Sequence, residues 1–333
     1  MKKNLFLLVL ILVMLTSCAS TVSLRYKVPA QVDITEYNKI AIAPTEYYER
    51  PFYFNEKLTS SDNKVQLYKM DINSLIKSLA NSNSSNLYKN LNSGSLFEIV
   101  KLDSMSSKYN SKELRELYDI DAIIIPKIAS LDINEVINEK EKKVLINGVE
   151  KIVKEYKLVQ EVYLRYEISI FDTKYNSLLY SDSYDYSYKT TNAIDTNDMY
   201  VPSFEFTLKS QLDNFNNEIT HLIMPHTAIK DIKLMKNYDK VEAIEGAYNL
   251  VDDGLYRDAY YIFNDYYNNT GYIPAGYNAA LLTASFADYN GAIDALIELS
   301  KISGDAEIYK AISVIRNISY NNNAANEQVD KIN

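Results

Sequence analysis

The sequence predicts an α+β protein: an N-terminal α/β domain that continues into an antiparallel meander, followed by a C-terminal α-helical repeat region. Three observations support this class. Apolar runs and helical periodicity alternate through residues 38–134, apolar and polar residues alternate through residues 156–170, and helical spacing alone continues through residues 241–319. The first pattern is typical of parallel strands with connecting helices, the second of a half-exposed antiparallel sheet, and the third of packed helices.

The composition restricts the partners more than the fold. The chain has 333 residues, with 44 acidic and 35 basic side chains and a formal net charge of −9. Nucleic acids and anionic lipid surfaces both require a basic face, so this balance argues against them as partners. With 47% hydrophobic residues and a single cysteine, the chain can bury a core but cannot form an internal disulfide.

Residues 1–17 have the composition of a secretory signal peptide. Two lysines precede the apolar run LFLLVLILVML, which is too short to span about 30 Å of hydrocarbon as a stable anchor. The run ends in LTSC, residues 15–18, which matches the lipobox of bacterial lipoproteins. We therefore expect a diacylglycerol on the Cys18 thiol, cleavage before Cys18, and N-acylation by a fatty acid such as palmitate.

Cys18 is thus the predicted lipidation site and the predicted membrane attachment. More than one acyl chain gives near-permanent anchoring, at about 0.8 kcal/mol per buried methylene. The alternative is a plain secretory signal with an incidental cysteine, but Cys18 is the only cysteine in the chain, which favours the lipobox. Ala19 rather than an aspartate follows it, and the sorting rule of enteric-type bacteria then predicts the outer membrane, facing the periplasm.

Residues 18–36 contain a proline and show no helical period, so we expect a lipidated tether. Residues 37–200 then form the predicted α/β sheet domain, with strands in NKIAIAP, LFEIVKL and AIIIPKIASLDI. Helical stripes between these strands begin at Asp71 and at Ser111, and the serine is a suitable N-cap. The serine- and asparagine-rich stretch 81–86 is expected to weaken the first of these helices.

An antiparallel meander is predicted for the second half of the sheet domain. Asn147-Gly148 between two apolar runs is the strongest short-range hairpin signal. The next strand alternates cleanly over residues 156–170, and the strand after it places its tyrosines on one face, at positions 180, 184, 186 and 188. Those rings could stack on sugars, and cross-strand packing is the alternative that we favour.

The C-terminal region contains an internal repeat. Residues 201–237 are predicted to be connecting helices interrupted by a proline, residues 238–320 a helical region, and residues 321–333 a flexible tail. Within the helical region, YRDA from Tyr256 recurs as YNGA from Tyr289, 33 residues later. Small residues that would let helices approach closely recur at Ala247, Ala259, Ala280 and Ala292.

These repeats carry a family resemblance. The phrases GAYNLVDDGLYRDAYYIF and GYNAALLTASFADYNGAIDAL resemble the tetratricopeptide repeat in their small residues, turn and aromatic spacing, but they lack its Trp-Leu-Gly start and its 34-residue period. The resemblance implies a concave face formed by the first helix of each repeat. On this register a peptide groove would be lined by Tyr248, Asn249, Tyr277, Asn278 and Leu281, and ordinary core and surface positions are the alternative.

A second resemblance covers residues 28–134. The stretches VPAQVDITEYNKIAIAP, LNSGSLFEIVKLDS and LRELYDIDAIIIPKIASLD resemble the opening domain of the curli-secretion lipoprotein family. The layout is also similar to that of bacterial lipoproteins that join such a domain to tetratricopeptide-like helices. The two resemblances imply an architecture and no particular activity.

Candidate chemistry is sparse. The two histidines, His221 and His226, are five residues apart and would lie on different faces of a helix, and no HExxH, P-loop, Rossmann glycine run or Gly-x-Ser-x-Gly motif occurs. Asp195, Asp198 and Glu205 lack the EF-hand spacing, so we interpret them as solvated surface rather than as a calcium site. We expect no catalytic residue, metal, cofactor or enzymatic activity.

Two classes of function follow. The first is a non-enzymatic, membrane-anchored scaffold or adaptor that binds a protein partner in the cell envelope. The second is an oligomeric secretion or assembly component resembling the curli exporter, whose subunits contribute membrane hairpins; an enzyme with an unfamiliar carboxylate site is third. A membrane strand needs 9–11 residues with an uninterrupted apolar outer face. The charged side chains that interrupt this face are Lys142, Lys143, Glu150, Lys151, Lys154 and Glu155. We therefore favour the scaffold.

Overall fold

The computed structural model describes residues 20–47, 52–56, 71–94, 96–103, 111–194 and 204–332. The predicted signal peptide, Cys18 and the carboxylates at positions 195 and 198 lie outside this part of the chain. The described residues form two compact units, a sheet unit (residues 30–224) and a helical unit (residues 20–29 together with 225–330). The predicted mixed class, with an N-terminal sheet region and a C-terminal helical region, is confirmed.

The elements are numbered here in chain order. The strands are β1 (Thr21–Val28), β2 (Lys39–Ile42), β3 (Glu46–Tyr47), β4 (Phe52–Glu56), β5 (Glu98–Lys101), β6 (Ala122–Ile146), β7 (Val149–Asp172), β8 (Ser177–Ile194) and β9 (His226–Lys233). The helices are α1 (Ile72–Ser93), α2 (Ser111–Tyr118), α3 (Glu205–Ile223), α4 (Glu242–Asp252), α5 (Tyr256–Thr270), α6 (Ile273–Ser285), α7 (Tyr289–Ile302) and α8 (Ala306–Ile332).

The sheet of the sheet unit is part parallel and part antiparallel. Its order is β5-β2-β6-β7-β8, and β3 and β4 also pair with β6. The pairs β2–β5 and β2–β6 are parallel, whereas β6–β7 and β7–β8 are antiparallel. The predicted α/β layer and the predicted meander are both confirmed. The long β6–β7 hairpin turns at Asn147 and Gly148, with φ of 53° and 79°, as expected of a type I′ turn.

Alternation along β7 determines which face of the sheet is covered. From Tyr156 to Ile170 every second residue is buried, including Leu164, Tyr166 and Ile168, and the residues between them are half-buried or exposed. The buried face belongs to the same hydrophobic core as the apolar stripes of α1 and α3. A one-residue shift in register would expose this whole set, so the pattern specifies the pairing.

Polar side chains match α1 to α3. The hydrogen bonds are Ser78 Oγ to Glu205 Oε1 (2.8 Å), Asn86 Nδ2 to Asp213 Oδ1 (2.6 Å) and Asn90 Nδ2 to Asn217 Oδ1 (2.9 Å). Each pair is separated by 127 residues, so the two helices run parallel and in register. The expectation that the stretch 81–86 weakens α1 is therefore wrong, because the helix is continuous and its polar residues face a polar partner.

Two predicted segments, the tether over residues 18–36 and the connecting helices over residues 201–237, contain strands in the structure. Where a tether and a connecting helix were predicted, the structure has β1 and β9, paired antiparallel from Thr21↔Lys233 to Val28↔His226. The residues of β1 alternate, with Val22 and Leu24 fully buried in the core of the helical unit. Strand pairing and this burial explain why the segment is ordered rather than a free tether.

The outer edge of β1 is hydrogen-bonded to side chains from three helices. Ser23 N donates to Tyr256 Oη (3.2 Å), Lys27 N donates to Asn322 Oδ1 (3.2 Å), and Tyr289 Oη donates to Arg25 O (3.3 Å). These groups satisfy backbone atoms that would otherwise be unpaired at a sheet edge. Strand β1 is therefore an integral part of the helical unit.

Two helical hairpins, α4–α5 and α6–α7, form the body of the helical unit. Gly254, in the first turn, and Ala287, in the second, both have left-handed backbones, with φ of 75° and 65°. They are 33 residues apart, which is the period of the sequence repeat. Pro274 stands in the first turn of α6, as expected of a residue without a backbone N–H.

The C-terminal helix α8 is longer than predicted. A flexible tail was expected over residues 321–333, but α8 continues to Ile332, and Ala325 is fully buried. Lys27 of β1 also donates from its Nζ to Asn326 Oδ1 (3.0 Å). Ile308, Ile315 and Ile318 pack in the core of the helical unit, and the hydrogen bonds from Lys27 to Asn322 and Asn326 attach the following turns to β1.

Candidate functional site

A groove on the outside of α4 and α5 is the candidate binding site. Its volume is about 490 Å³. The lining residues are Ala243, Tyr261, Ile262, Asn264, Asp265, Tyr266 and Asn269. All but Ala243 come from α5, whose sequence, YRDAYYIFNDYYNNT, contains five tyrosines. Of these five rings Tyr261 is exposed, and the other four are half-buried against the core of the helical unit, so that each leaves part of its surface accessible.

The base of the groove is held by tight packing between the two helices. The ring of Phe263 is fully buried and meets Tyr248 of α4 edge-on, with centroids 5.1 Å apart. Ala259 is fully buried one turn earlier, where a small side chain allows close approach. On the outer side Tyr261 is 61% exposed, and Tyr266 meets Tyr272 edge-on at 5.9 Å. Accessible rings therefore project from a rigid base.

The groove carries side chains that are suited to binding. Tyrosine rings offer apolar area with a polar tip, Asn264 and Asn269 offer amide donors and acceptors, and Asp265 supplies a carboxylate. This set can accept an extended peptide with at least one basic or amide side chain. Within the described ranges, no group of three or more His, Cys, Asp and Glu side chains is placed to hold a metal ion.

The structure contradicts most of the predicted partner-binding face. Tyr277, Asn278 and Leu281 of α6 are all buried, Tyr248 is half-buried against Phe263, and Asn249 alone is exposed. Helix α6 lies between α5 and α7, its sequence, IPAGYNAALLTAS, is mostly apolar and contains no charged residue, and ten of its thirteen residues are buried. A mostly apolar helix without a charged face is typical of a core helix, and this signal was available in the sequence.

Asn278 is a structural clamp rather than a ligand-binding residue. Its Oδ1 accepts from Met235 N (2.8 Å), and its Nδ2 donates to Met235 O (3.0 Å) and to Tyr248 Oη (3.0 Å). Tyr248 Oη in turn donates to Met235 O (2.7 Å). Burial raises the pKa of Tyr248 to about 12, against the lowering effect of the hydrogen bond from Asn278. The cluster fixes the segment after β9 to α4 and α6.

The tyrosine stripe of β8 is mainly a packing feature. Tyr180, Tyr184 and Tyr186 pack against the core of the sheet unit, and the ring of Tyr184 lies 5.2 Å from that of Phe215. Tyr188 is more exposed and stacks on Tyr186 at 6.5 Å. These contacts support the cross-strand packing interpretation over sugar stacking.

A second concavity, of about 410 Å³, lies on the sheet and has a mixed lining, in which the apolar surface of Ile133, Val162, Tyr163 and Tyr188 stands beside polar side chains. Tyr163 Oη donates to Asp185 Oδ1 (2.6 Å), and Glu161 accepts from Lys189 and from Asn134 Nδ2 (3.4 Å for the latter). The hydrogen bond from Lys189 is the main cause of the lowered pKa of Glu161. Most of these polar groups pair with one another across the strands, as on a solvated sheet surface, although the buried Asn134 Oδ1 accepts no hydrogen bond.

The remaining candidate side chains have structural contacts. Glu205 Oε1 accepts from Lys209 Nζ (2.8 Å) and from Ser78 Oγ (2.8 Å), and the hydrogen bond from Lys209 is the main cause of its lowered pKa. His221 is in the last turn of α3 and His226 begins β9, so the two are not on one helix. Of the helices in the described part of the chain, none combines the length and the apolarity needed to cross a bilayer.

Comparisons with known proteins yield only distant structural matches. No protein-family model and no curated protein sequence matches the chain. A homologue of the putative neuraminyllactose-binding hemagglutinin from Helicobacter pylori aligns with 11% identity and a TM-score of 0.29, over 57% of this chain and 83% of that chain. Lipoprotein GNA1162 from Neisseria meningitidis gives 11% identity and 0.27, over 55% and 97%.

PelC from Paraburkholderia phytofirmans, which crystallised as a dodecamer, gives 9% identity and a TM-score of 0.25, over 60% of this chain and 99% of that chain. Similarities at these identities and scores carry no argument about the activity or the assembly of this protein. The function must be inferred from its own residues.

Proposed function

We propose that this protein is a lipid-anchored, non-enzymatic envelope protein that binds a protein partner through the groove on α5. The observation that carries the proposal is the aromatic and amide surface around the exposed Tyr261 and the half-buried Tyr266, on a helix whose Phe263 is buried against α4. Aromatic anchors dominate the energetics of many protein interfaces when they lie on a preorganised base.

The helical hairpins support a tetratricopeptide-like interpretation of this region. The small residues that were expected at close helix crossings, Ala247, Ala259, Ala280 and Ala292, are all buried. The left-handed residues at 254 and 287 occupy equivalent turns. Repeats of this kind bind extended segments along helical surfaces. Here recognition is assigned to the second helix of the first hairpin, since the first helix of the second hairpin is buried.

Anchoring is the second part of the proposal. The LTSC motif predicts acylation of Cys18, and the acyl chains would hold the helical unit at the membrane. The expected location is the outer membrane, with the protein on its periplasmic side. Fatty-acid labelling of wild type and Cys18→Ala tests this part directly. Label retained by Cys18→Ala, or absent from the wild type, would refute it.

The partner is tested by crosslinking from within the groove. A photoreactive phenylalanine analogue at Asn269 should capture a protein in intact envelopes, and the double variant Tyr261→Ala/Tyr266→Ala should abolish that crosslink. The matched control replaces Tyr320, which is 72% exposed on α8, by alanine and should leave the crosslink intact. A crosslink that survives the double variant would exclude this groove as the binding site.

The secretion-component alternative makes a different prediction, namely a closed ring of subunits. The residues near the β6–β7 turn do not favour it, because Lys143 and Glu150 form a 2.9 Å ion pair where an apolar band would be needed. Native mass spectrometry of the detergent-solubilised protein separates the two readings. A high-order ring would replace the adaptor proposal with the secretion alternative.

A further inference from the structure

The start of β1 fixes the N-terminal end of the described chain to one end of the helical unit. Ser20 O accepts from Leu234 N (2.9 Å), and Ser20 Oγ donates to Asp252 Oδ2 (3.1 Å). Asp252 is the last residue of α4 and lies beside the turn into α5. Residue 20 is therefore held next to that turn.

Covalent geometry then limits where acyl chains can be attached. Cys18 precedes Ser20 by two residues, and two residues of extended chain reach at most about 7 Å. If Cys18 is acylated, as proposed above, the acyl attachment is confined to this distance from Ser20. The predicted tether of residues 18–36 would have allowed a far longer reach, so this constraint follows from β1 and not from the sequence pattern.

The same end of the unit exposes an apolar cluster. Leu255, in the α4–α5 turn, is 49% exposed, and Phe286, at the start of the α6–α7 turn, is 45% exposed. The ring of Tyr260 joins the two turns, since its centroid lies 6.1 Å from that of Phe286. We call Leu255, Tyr260 and Phe286 the turn-end cluster. Exposed aliphatic and aromatic side chains are what the interfacial layer of a bilayer accommodates.

The charges around the cluster indicate the kind of lipid surface. The exposed charged residues in and beside the two turns are Asp252, Asp253, Arg257, Asp258 and Asp288. Lys233, paired with Thr21 beside Ser20, is also exposed at this end, so four carboxylates face two cations. Such a surface is repelled by anionic headgroups and is compatible with zwitterionic ones. The cluster is also too small to hold the protein on a membrane by itself, so its effect is to orient a protein that acyl chains already retain.

We propose that the turn end of the helical unit rests on the bilayer, with the turn-end cluster in the zwitterionic headgroup layer beside the acylated Cys18. Helix α5 then leads away from the membrane. At 1.5 Å per residue, Asn269 at the far end of the groove lies only about 20 Å from the first residue of α5. The partner of the groove is accordingly a protein, or a segment of one, that comes within this distance of the lipid surface.

The absence of tryptophan from the sequence allows a direct test. Phe286→Trp introduces a single indole into the turn-end cluster. Tyr309→Trp is the matched control, because Tyr309 is 53% exposed in the first turn of α8, after the far end of α7. Both acylated variants are reconstituted into phosphatidylethanolamine–phosphatidylcholine vesicles containing brominated lipid. We expect a blue shift and loss of emission for Phe286→Trp, and neither change for Tyr309→Trp.

Several outcomes would overturn the inference. Equal quenching of the two indoles would show that the turn-end cluster is not preferentially in contact with the bilayer. A blue shift of Phe286→Trp without lipid, increasing with protein concentration, would show that a second copy covers the cluster. Added phosphatidylglycerol should reduce the quenching, and an increase would contradict the argument from charge. Leu255→Trp provides a second probe of the same cluster if Phe286→Trp fails to fold by circular dichroism.

Failure of this inference can be distinguished from failure of the proposed anchoring. Incorporation of labelled fatty acid is measured on the same samples. If the protein carries the label but the indole at position 286 is not quenched, only the contact of the turn-end cluster with the bilayer is refuted. If the protein carries no label, the lipid anchor on which that contact depends is refuted.

Discussion

The sheet unit and the helical unit bring helices together by different means. In the sheet unit, α1 and α3 are matched by hydrogen-bonded polar side chains at a constant separation of 127 residues. In the helical unit, the hairpins pack through buried alanines that recur every 33 residues, such as Ala259 and Ala292. The comparison indicates that helix packing can be predicted from sequence where small residues recur at a fixed period. Hydrogen bonds between polar side chains far apart in the chain give no such pattern.

The largest effect is expected from the core of the helical unit. Phe263→Ala should lower the free energy of unfolding by about 3–5 kcal/mol, because a fully buried ring is replaced by a cavity. Thermal unfolding of the unacylated Cys18→Ser protein measures it. The control Tyr261→Ala, two positions away but 61% exposed, should change stability little. Similar losses for both variants would contradict the difference in burial between Phe263 and Tyr261.

Asn278→Ala sharpens the distinction between clamp and ligand-binding residue. The variant leaves Met235 N without its acceptor, and a buried unsatisfied group costs about 1–3 kcal/mol. Asn249→Ala, at the exposed position of the same predicted face, should be nearly neutral. Urea denaturation of both proteins would decide the matter, and a stable Asn278→Ala protein that fails only in partner binding would restore the original prediction.

A smaller effect is expected at the polar interface of the sheet unit. A double-mutant cycle on Asn86→Ala and Asp213→Ala should give a coupling energy of about 1 kcal/mol, since their hydrogen bond is short and partly buried. Lys77→Ala, exposed on α1, serves as the control for helix propensity. A coupling energy of zero would mean that this hydrogen bond does not contribute to the α1–α3 register.

The smallest effect compares the two turns of the repeat. Ala287 has a left-handed backbone, which is unfavourable for a residue with a Cβ, whereas Gly254 supplies glycine at the equivalent position. Ala287→Gly should therefore stabilise the helical unit, and Gly254→Ala should destabilise it, each by about 0.5–1 kcal/mol. Opposite signs in the thermal midpoint are the expected result. Two shifts of the same sign would argue against equivalent turns.

The sequence predicted what depends on neighbouring residues. The Asn147-Gly148 hairpin and the alternation of β7 were correct because each depends on a few adjacent side chains and their pleat. The pairing of β1 with β9 could not be read this way, since Ser23 meets Asp231 across 208 residues. The alternation in TVSLRYKV does indicate a strand, but no local pattern identifies its partner.

Partner recognition was predicted in the helical repeats, and this remains a prediction. The predicted face included three residues of α6 that the structure buries, because the resemblance to tetratricopeptide repeats was given more weight than the mostly apolar sequence of that helix. The tyrosines of α5 were a usable signal, since a helix with five tyrosines and two buried positions must present aromatic surface to solvent or to a partner.

One backbone contact affects how the chain can fold. Gln31 N and Val32 N both donate to Leu222 O, at 2.8 and 2.9 Å, so the sheet unit holds its own two ends together. Strands β1 and β9 lie immediately outside these residues. Once the sheet unit has folded, they are separated by an effective loop of a few residues instead of roughly 200, which reduces the loop-closure entropy by about 3 kcal/mol.

The sheet unit is therefore inserted between β1 and β9, and its folding brings these two strands of the helical unit close together in space. We therefore expect the sheet unit to fold first and the helical unit second, although the helical unit contains the first described residues of the chain. Refolding of the helical unit should slow when the insertion is destabilised, and a fragment that begins at residue 225 should lack the strand that completes it. If the chain is anchored at its N-terminus, β1 would remain unpaired until β9, which ends at residue 233, is available to pair with it.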